Sequence, residues 1–312
     1  MATVTDPQTD SQSRAVLLGV LLSLAGALGF STKAILVKLA YALDPAIDTA
    51  AVMAFRMGFA LPLFVAAGVW FGRRGPVPAR RLPAVAALGL VGYYVSTYLD
   101  LKGLETISAG LERLILFVYP TLVVLLVALR ERRPLEGSTL FALGATYLGV
   151  ALALGGEVAG DGAGRLLGGA LVLGAAFSFA LFNLGAGEMI RRHGAGPFTA
   201  VAMAAASVAA LLHYGVVHGA TRPPMADDAW LPFLAICLTM AVVATVLPAF
   251  LISYGIARIG AGKSAVVGTV GPVATITMAA ALLNEPVTPM QIVGGVCVLV
   301  GVTAISVRRS RS

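Results

Sequence analysis

Ten apolar runs, separated by short polar connections, account for almost the whole chain. Each is roughly 20 residues long, the length of a helix that crosses about 30 Å of hydrocarbon and satisfies its own backbone hydrogen bonds there. Polarity does not alternate along the runs as it would in the strands of a membrane barrel. The pattern therefore predicts an all-α membrane protein with ten transmembrane helices, near residues 15–40, 49–71, 82–101, 107–129, 138–155, 166–188, 197–219, 229–255, 261–283 and 287–307.

The composition excludes a soluble domain. Of 312 residues, 58% are hydrophobic and 12% are charged, against about 25% charged in soluble proteins, and the mean hydropathy is +0.91. Cys237 and Cys297 lie inside apolar runs, where a free thiol behaves as a small hydrophobic group. His193, His213 and His218 lie near the ends of runs and share no spacing typical of metal ligands. We therefore expect no metal, no cofactor and no enzymatic activity.

One stretch of the chain occurs twice. Residues 98–155, moved forward by 152 positions, align without a gap with residues 250–307. The matching positions are mostly glycine and proline, which mark backbone conformation rather than general apolar character. They pair Gly103 with Gly255, Gly110 with Gly262, Pro120 with Pro272, Pro134 with Pro286 and Gly149 with Gly301. A weaker match between earlier helices pairs Phe30-Ser31 with Phe177-Ser178.

The repeat divides the chain into two halves of five helices, at residues 15–155 and 166–307, with short tails at 1–14 and 308–312. Because five is an odd number, the second half enters the membrane from the opposite side. The halves are then related by a pseudo-two-fold axis in the membrane plane. This inverted arrangement is typical of alternating-access carriers, which hold their substrate near the midplane where helices are broken.

Lysine and arginine indicate the orientation, since cytoplasmic loops carry an excess of them. Of the 22 basic residues, Lys33 and Arg56 lie inside runs, fifteen lie on the side of the two termini and five lie on the other side. The fifteen are Arg14, Arg73, Arg74, Arg80, Arg81, Arg130, Arg132, Arg133, Arg191, Arg192, Arg258, Lys263, Arg308, Arg309 and Arg311; the five are Lys38, Lys102, Arg113, Arg165 and Arg222. Both terminal tails are therefore predicted to be cytoplasmic. The net charge of +7 reports orientation, and nucleic acid is not an expected partner.

Short motifs recur in a defined order along the chain. They are Lys38-Leu39 late in the first span, Phe55-Arg56 early in the second, the mid-span Pro120 and Pro272, and Asn284-Glu285-Pro286 after the ninth. In this order they resemble the drug/metabolite transporter superfamily in its ten-helix form with two EamA-type repeats. The resemblance covers nearly the whole chain and is closest to the amino-acid and aromatic amino-acid exporters. It departs from the pattern in the first half, where Glu131 lies three residues before Pro134, so the two acids are not treated as equivalent.

The two mid-span prolines predict helix breaks at a central cavity. A proline inside a helix lacks the N–H that would bond the carbonyl four residues earlier, which is Leu116 for Pro120 and Gly268 for Pro272. Gly271 loosens the second position further. A structural kink in a packed bundle is the alternative for each proline alone. Their symmetric placement favours a shared cavity wall.

Ten side chains are candidates for contact with a substrate: Phe30, Lys33, Arg56, Tyr93, Tyr94, Tyr98, Tyr119, Phe177, Thr245 and Thr269. Tyr93 and Tyr94 lie about 17 Å deep in the third span, where a lipid-facing hydroxyl would be unsatisfied. Lys33 and Arg56 are charges inside spans, which suggest function by default and would suit a substrate carboxylate. The alternatives are core packing for the tyrosines and an ion-pair set with nearby Asp100, Glu112 and Arg113 for the two charges.

Together these features predict a multi-pass carrier of the bacterial inner membrane that exports amino acids or similar small metabolites by alternating access. Its partners are the small-molecule substrate and the lipid bilayer, and a monomer is sufficient because one chain contains the whole cavity. Coupled carriers commonly use an acid inside the membrane, and no Asp or Glu lies near the middle of a span, so facilitated diffusion is expected. The alternative is a proton-coupled drug or other metabolite exporter of the same fold. A membrane enzyme or an ion channel would require a polar catalytic cluster or a filter, which the spans do not show.

The predicted orientation can be tested with single cysteines in a variant that lacks Cys237 and Cys297. A cysteine within residues 73–81 should react with an impermeant thiol reagent only from the cytoplasmic side, because that connection carries four arginines. A cysteine within residues 156–165 should react only from the outside. Labelling of residues 73–81 exclusively from the outside would reverse the topology.

Overall fold

The computed structural model describes residues 7–73, 75–132, 134–158, 162–219 and 221–309, and its regular structure there is helical throughout. The helical segments are α1 (Pro7–Leu43), α2 (Thr49–Gly72), α3 (Ala79–Leu104), α4 (Ala109–Glu131), α5 (Gly137–Val158), α6 (Gly162–His193), α7 (Ala195–His218), α8 (Asp227–Ile256), α9 (Val266–Leu283) and α10 (Pro289–Arg309). Among the described residues, α1 to α9 are each long and apolar enough to span a membrane, and α10 carries a shorter apolar stretch, Pro289–Ile305. The predicted all-α membrane fold is confirmed.

Large apolar side chains cover the outside of the bundle. Leu129, Phe141 and Val216 are among the most exposed residues of the chain. Such surfaces would be unfavourable in water, but they suit a bilayer whose interior is as apolar as leucine. Lipid is therefore the solvent of these outer faces, and the polar side chains of the helices turn toward one another.

Four helices are irregular, α3, α4 and α8 within their length and α9 near its start, and the irregularities occur in matched pairs. α3 passes through a π-helical stretch at Leu90–Val95, and α8 passes through another at Val242–Val246, each starting 152 positions from its counterpart. α4 is interrupted after Leu116, and helical backbone is interrupted again after Gly268, at the same separation. The repeat seen in the sequence therefore includes the defects of the backbone as well as its regular parts.

The two prolines account for the interruptions in α4 and α9. Pro120 and Pro272 lie near the start of a second helical piece, where a missing N–H has no intrahelical partner to lose. The first pieces end at Leu116 and Gly268, the two residues whose carbonyls the prolines cannot bond. Each interruption thus has a local covalent cause.

The packing of α1 on α8 is repeated by the packing of α6 on α3, and it corrects one detail of the sequence alignment. A Cβ at Gly19 would lie 2.5 Å from Ile259, and one at Gly168 would lie 2.9 Å from Ile107. The partners Ile107 and Ile259 are 152 positions apart, whereas Gly19 and Gly168 are 149 apart, so the first helix of each half follows a different displacement.

The counterpart of Phe30 is therefore Phe179, and the predicted pairing of Phe30 with Phe177 is wrong by two residues. Two residues rotate a helical side chain by about 200°, which places it on the opposite face. Phe177 is 45% exposed on the outer surface, whereas Phe179 faces the interior.

The chain reverses direction between α8 and α9 at the side of α1. Gly255 packs against Ser23, and beyond the turn the Ser264 hydroxyl lies 3.0 Å from the hydroxyl of the same Ser23. Farther along α9, Ser31 Oγ donates to the Gly271 carbonyl at 3.0 Å. α8 and α9 therefore run in opposite directions along α1, although helical backbone is continuous over Leu247–Gly268.

α5 and α10 pack mainly on each other at the side of the bundle. Their backbones approach closely because glycines face each other. A Cβ at Gly149 would lie 2.5 Å from the Gly294 carbonyl oxygen. Small residues permit this kind of close approach between membrane helices. The other eight helices enclose the centre of the molecule, and α5 and α10 form a scaffold beside them.

Gly301→Leu should lower yield and thermal stability. A Cβ at Gly301 would already lie 2.5 Å from the Ala142 carbonyl oxygen, which belongs to the backbone of α5 and cannot move aside easily. Overpacking of this kind costs about 1–3 kcal/mol or more. Gly144→Leu is the matched control, because no atom lies within 4 Å of its Cβ position. Normal yield and stability of purified Gly301→Leu, combined with selective loss of substrate binding, would contradict the scaffold role.

Candidate functional site

A cavity of about 410 Å³ lies at the centre of the bundle. Its wall is formed by residues of α1, α2, α3, α4, α6, α7, α8 and α9. Among the described residues, none from α5 or α10 contributes to it, as expected for a scaffold pair. Both halves of the repeat therefore share one central space, which is large enough for a small metabolite.

The wall is symmetric in position but not in chemistry. Repeat-related residues face the cavity from α3 and α8 and from α4 and α9: Tyr93 and Thr245, Thr97 and Ala249, Asp100 and Ile252, Leu116 and Gly268, and Tyr119 and Gly271. In three of these pairs the first half contributes an aromatic or charged side chain and the second half a smaller or uncharged one. These pairs are Tyr93 and Thr245, Asp100 and Ile252, and Tyr119 and Gly271. Polar recognition therefore depends mainly on the first half.

Lys33 joins two acids at the cavity wall. Its ammonium donates to the Asp100 carboxylate and to Glu112 Oε1, the latter at 3.2 Å. The three side chains come from α1, α3 and α4, and Glu112 is completely buried. The second oxygens, Asp100 Oδ1 and Glu112 Oε2, are buried without a hydrogen-bond donor among the described residues. The ion-pair alternative considered for Lys33 from the sequence is the arrangement found.

Arg56 is a buried cation without an acidic hydrogen-bond partner in the described part of the chain. Its Nε donates to Thr245 Oγ1 at 2.9 Å, and Thr245 donates to the Met240 carbonyl at 2.8 Å. That carbonyl precedes Thr245 by five residues and is accessible because α8 is π-helical there. Arg56 Nη1 is buried and has no hydrogen-bond partner among the described residues. This nitrogen can therefore donate to a bound ligand.

A third cation, Arg113, lies beside the helix break in α9. Arg113 lies on the cavity wall, and the Cβ position of Gly271 is 3.8 Å from its Nη2. With all groups ionised, the wall carries three cations, Lys33, Arg56 and Arg113, and the acid Asp100, and the buried Glu112 lies behind the wall against Lys33. The balance is positive, so the cavity favours an anionic group on its ligand.

Aromatic rings form another part of the wall. Phe30, Tyr93, Tyr119 and Phe179 line the cavity, and the Tyr119 and Phe179 rings meet edge to face with centroids 5.0 Å apart. Tyr93 packs on Phe182 behind the wall, at 4.8 Å. These rings provide a rigid apolar surface beside the cationic groups.

A model of the EamA-like transporter family matches the chain twice, at residues 17–155 and 166–307. The chain belongs to the EamA-like transporter family. It is 30% identical over 310 residues to "Uncharacterized transporter YcbK" of Bacillus subtilis (strain 168), and the alignment covers 98% of each chain. A solved crystal structure superposes with a TM-score of 0.60 over 92% of this chain and 97% of the other, at 16% identity, which supports the fold alone. The protein is thus a multi-pass membrane transporter with two EamA repeats.

Several candidate residues of this EamA-like transporter do not line the cavity. The Tyr94 hydroxyl lies 3.0 Å from His213 Nδ1 on α7, and the Tyr98 ring packs 5.1 Å from the same imidazole. Thr269 is half-buried and donates to the Val266 carbonyl, and Phe177 points outward. Pro120 shapes α4 without contributing to the wall. One residue along a helix turns a side chain by about 100°, and this separates Tyr94 from Tyr93.

The cavity also contains residues that the sequence analysis did not propose for substrate contact. Asp100, Thr97, Phe179, Thr199 and Met203 all line it. Phe179 could have been found from a correctly aligned repeat. For Asp100 the available signal was its helical spacing from Tyr93, since seven residues correspond to about two turns and keep both on one face. Thr199 and Met203 share a face by the same i, i+4 rule, but nothing in the sequence indicates which way that face points.

Hydrogen bonds between distant segments tie the bundle together at one end. The Glu157 carboxylate accepts from the Ser108 N–H at 3.1 Å and from its hydroxyl, and Glu285 accepts from the Ala109 N–H at 3.0 Å. Both acids therefore cap the start of α4, where helical N–H groups lack partners. The capping joins α4 to the end of α5 and to the connection before α10.

The connection between α1 and α2 is tied at the same end. Asp44 accepts hydrogen bonds from the N–H groups of Ala226 and Ala46, which hold the pKa of its carboxyl below the usual value. Asp48 pairs with His218 at 3.1 Å. At the opposite end, the ion pairs of Glu188 with Arg191 and Arg192 stay within α6.

Tyr93→Phe and Tyr94→Phe form a matched pair of adjacent substitutions. Loss of the Tyr93 hydroxyl should change the relative affinities for competing substrates by about one hydrogen bond, roughly 0.5–1.5 kcal/mol. Tyr94→Phe should leave these ratios unchanged, because its hydroxyl faces His213 and not the cavity. Competition in a proteoliposome counterflow assay measures both. A change confined to Tyr94→Phe would show that the wall has been assigned to the wrong tyrosine.

Proposed function

We propose that this protein exports amino acids or similar small carboxylate metabolites across the bacterial inner membrane by alternating access. The observation that carries the proposal is Arg56. Its guanidinium is buried at the cavity wall, its Nη1 has no partner, and no acid hydrogen-bonds to it within the described residues. A buried cation with a free donor is costly unless a ligand anion completes it, and a planar guanidinium fits a carboxylate.

The aromatic wall suits the remainder of such a substrate. Phe30, Tyr93, Tyr119 and Phe179 offer apolar faces within the same 410 Å³ space as Arg56. A molecule with a carboxylate at one end and a small apolar or aromatic group at the other would satisfy both regions. A cationic drug fits less well, because the two acids near the cavity already share Lys33.

The hydrogen bonds that tie one end of the bundle together support loading from the cytoplasm. With both termini cytoplasmic, the connections tied by Glu157, Glu285 and Asp44 face the outside. The cavity extends away from that end, from the level of Lys33 to Ala27 and Gly268. This is the arrangement from which an exporter would accept a cytoplasmic substrate. If the two inverted repeats exchanged conformations, the cavity would open to the outside instead.

Arg56→Gln tests the proposal in counterflow experiments with purified protein in liposomes and a panel of labelled amino acids. Loss of a charged hydrogen bond should weaken carboxylate substrates by about 1.5–3 kcal/mol. Amines without a carboxylate should be affected much less. Arg222→Gln is the control, because Arg222 is surface-exposed and pairs with Asp227 away from the cavity. Counterflow of none of the amino acids by the wild type, or equal losses for carboxylates and amines in Arg56→Gln, would contradict the proposed substrate class.

A further inference from the structure

The cluster of Lys33, Asp100 and Glu112 is not electrically balanced. One ammonium stands between two carboxyl groups, so the cluster has an excess negative charge if both acids are ionised. Glu112 is completely buried and Asp100 is 2% exposed. An unpaired charge at such a position is expensive, whereas a bound proton removes it. Among these three residues the charge count leaves room for one proton, while Arg56 and Arg113 add positive charge on the cavity side.

The hydrogen-bond inventory points to the same proton. Lys33 satisfies one oxygen of each acid, and the remaining oxygens, Asp100 Oδ1 and Glu112 Oε2, have no donor among the described residues. The two carboxyl groups contact the same ammonium and are therefore neighbours. Ionised carboxylates only accept hydrogen bonds, so a bond between the two acids requires one of them to carry a proton and donate it. One bound proton would give these orphan oxygens a donor.

The surrounding charges indicate which acid holds the proton. Asp100 faces the cation Arg56 of α2 in addition to Lys33, whereas Arg113 of α4 lies near both acids. Glu112 faces Lys33 at the longer distance and has Asp100 as a negative neighbour. α1 also presents Tyr41 toward Asp100, and Lys38 toward Glu112. Lys38 also interacts with the acids Glu157 and Glu285 and with the cation Arg165. Glu112 is therefore only one of several charged groups around it.

We propose that Asp100 and Glu112 form a proton-binding site in the wall of the transport cavity, with the proton carried by Glu112. Asp100 lines the cavity, so water there can reach the pair. A hydronium ion in the cavity gives its proton to the Glu112 carboxylate and leaves a water molecule. The resulting carboxylic acid donates to Asp100 Oδ1. Release reverses these steps.

Proton binding would control the affinity for a carboxylate substrate, and this part rests on the proposed function. Deprotonation of Glu112 adds a negative charge near Arg113 and beside Asp100, which faces Arg56, the cation assigned to the substrate carboxylate. Charges at this range interact more strongly in a partly buried site than in bulk water. The protonated cluster therefore favours loading, and affinity for carboxylates falls as the pH rises and Glu112 loses its proton. Transport is then linked to protons, in contrast to the facilitated diffusion expected from the sequence.

Infrared spectroscopy of the purified protein tests the proton site without any substrate. The wild type should show a protonated-carboxyl C=O band that disappears on alkaline titration. Glu112→Gln should remove this band and keep a near-wild-type melting temperature, because its amide can donate to Asp100 in place of the proton. Glu105→Gln is the matched control, since Glu105 is partly exposed, pairs with Lys102 and should leave the band unchanged. Absence of a titrating band, or its persistence in Glu112→Gln, would overturn the site.

A second variant keeps the test decisive if Glu112→Gln fails to fold. Asp100→Asn leaves Glu112 paired with Lys33 and offers it an amide donor, so Glu112 should ionise and the same band should be lost. Its persistence in Asp100→Asn would also overturn the site. A wild type that shows the band but transports no amino acid would refute the proposed function and leave the proton site standing.

The linkage to substrate is measured by counterflow at several pH values. Wild-type affinity for carboxylate substrates should decline as pH rises, and Glu112→Gln should flatten this dependence because its side chain cannot ionise. Glu105→Gln should retain the wild-type profile. An unchanged profile in Glu112→Gln would show that the bound proton plays no part in substrate loading.

Discussion

Lipid offers no hydrogen bonds, so every polar group within the membrane must be satisfied inside the bundle. This constraint explains where the structure is regular and where it is not. Helices satisfy their own backbone almost everywhere in the described residues, and the exceptions described above lie within α3, α4 and α8 and near the start of α9. At those positions freed groups turn inward, as the Met240 carbonyl does toward Thr245. The interior can be polar only because the irregular backbone and the buried side chains satisfy one another.

The sequence was sufficient for the features that depend on many residues at once. Ten runs of apolar residues and a gapless repeat are long patterns, and chance does not readily imitate them. Pro120 and Pro272 were also informative, because the effect of proline on a helix is local and strong. These features gave the fold and the expectation of a cavity shared by both halves.

Side-chain orientation was harder to predict, because it depends on rotation and not on depth. Tyr93 and Tyr94 are equally deep, yet only Tyr93 lines the cavity. The predicted pairing of Phe30 with Phe177 was wrong for the same reason, since a shift of two positions along the helix places Phe177 on the lipid-facing side. Asp100 was considered from the sequence only as an ion-pair partner of Lys33 and Arg56, but its face of the helix opens onto the cavity. The contacts of Lys33 with Asp100 and Glu112 join α1, α3 and α4. No local sequence pattern encodes such tertiary contacts.

The paired irregularities also separate what the two halves share from what distinguishes them. The π-helical stretches of α3 and α8 begin at equivalent positions, so both halves are irregular at the same point. The charged groups differ, since Asp100 corresponds to Ile252 and only the first half carries the acid there. If the halves exchange conformations during a transport cycle, their irregular segments are interchangeable, whereas the acid always stays with the first half.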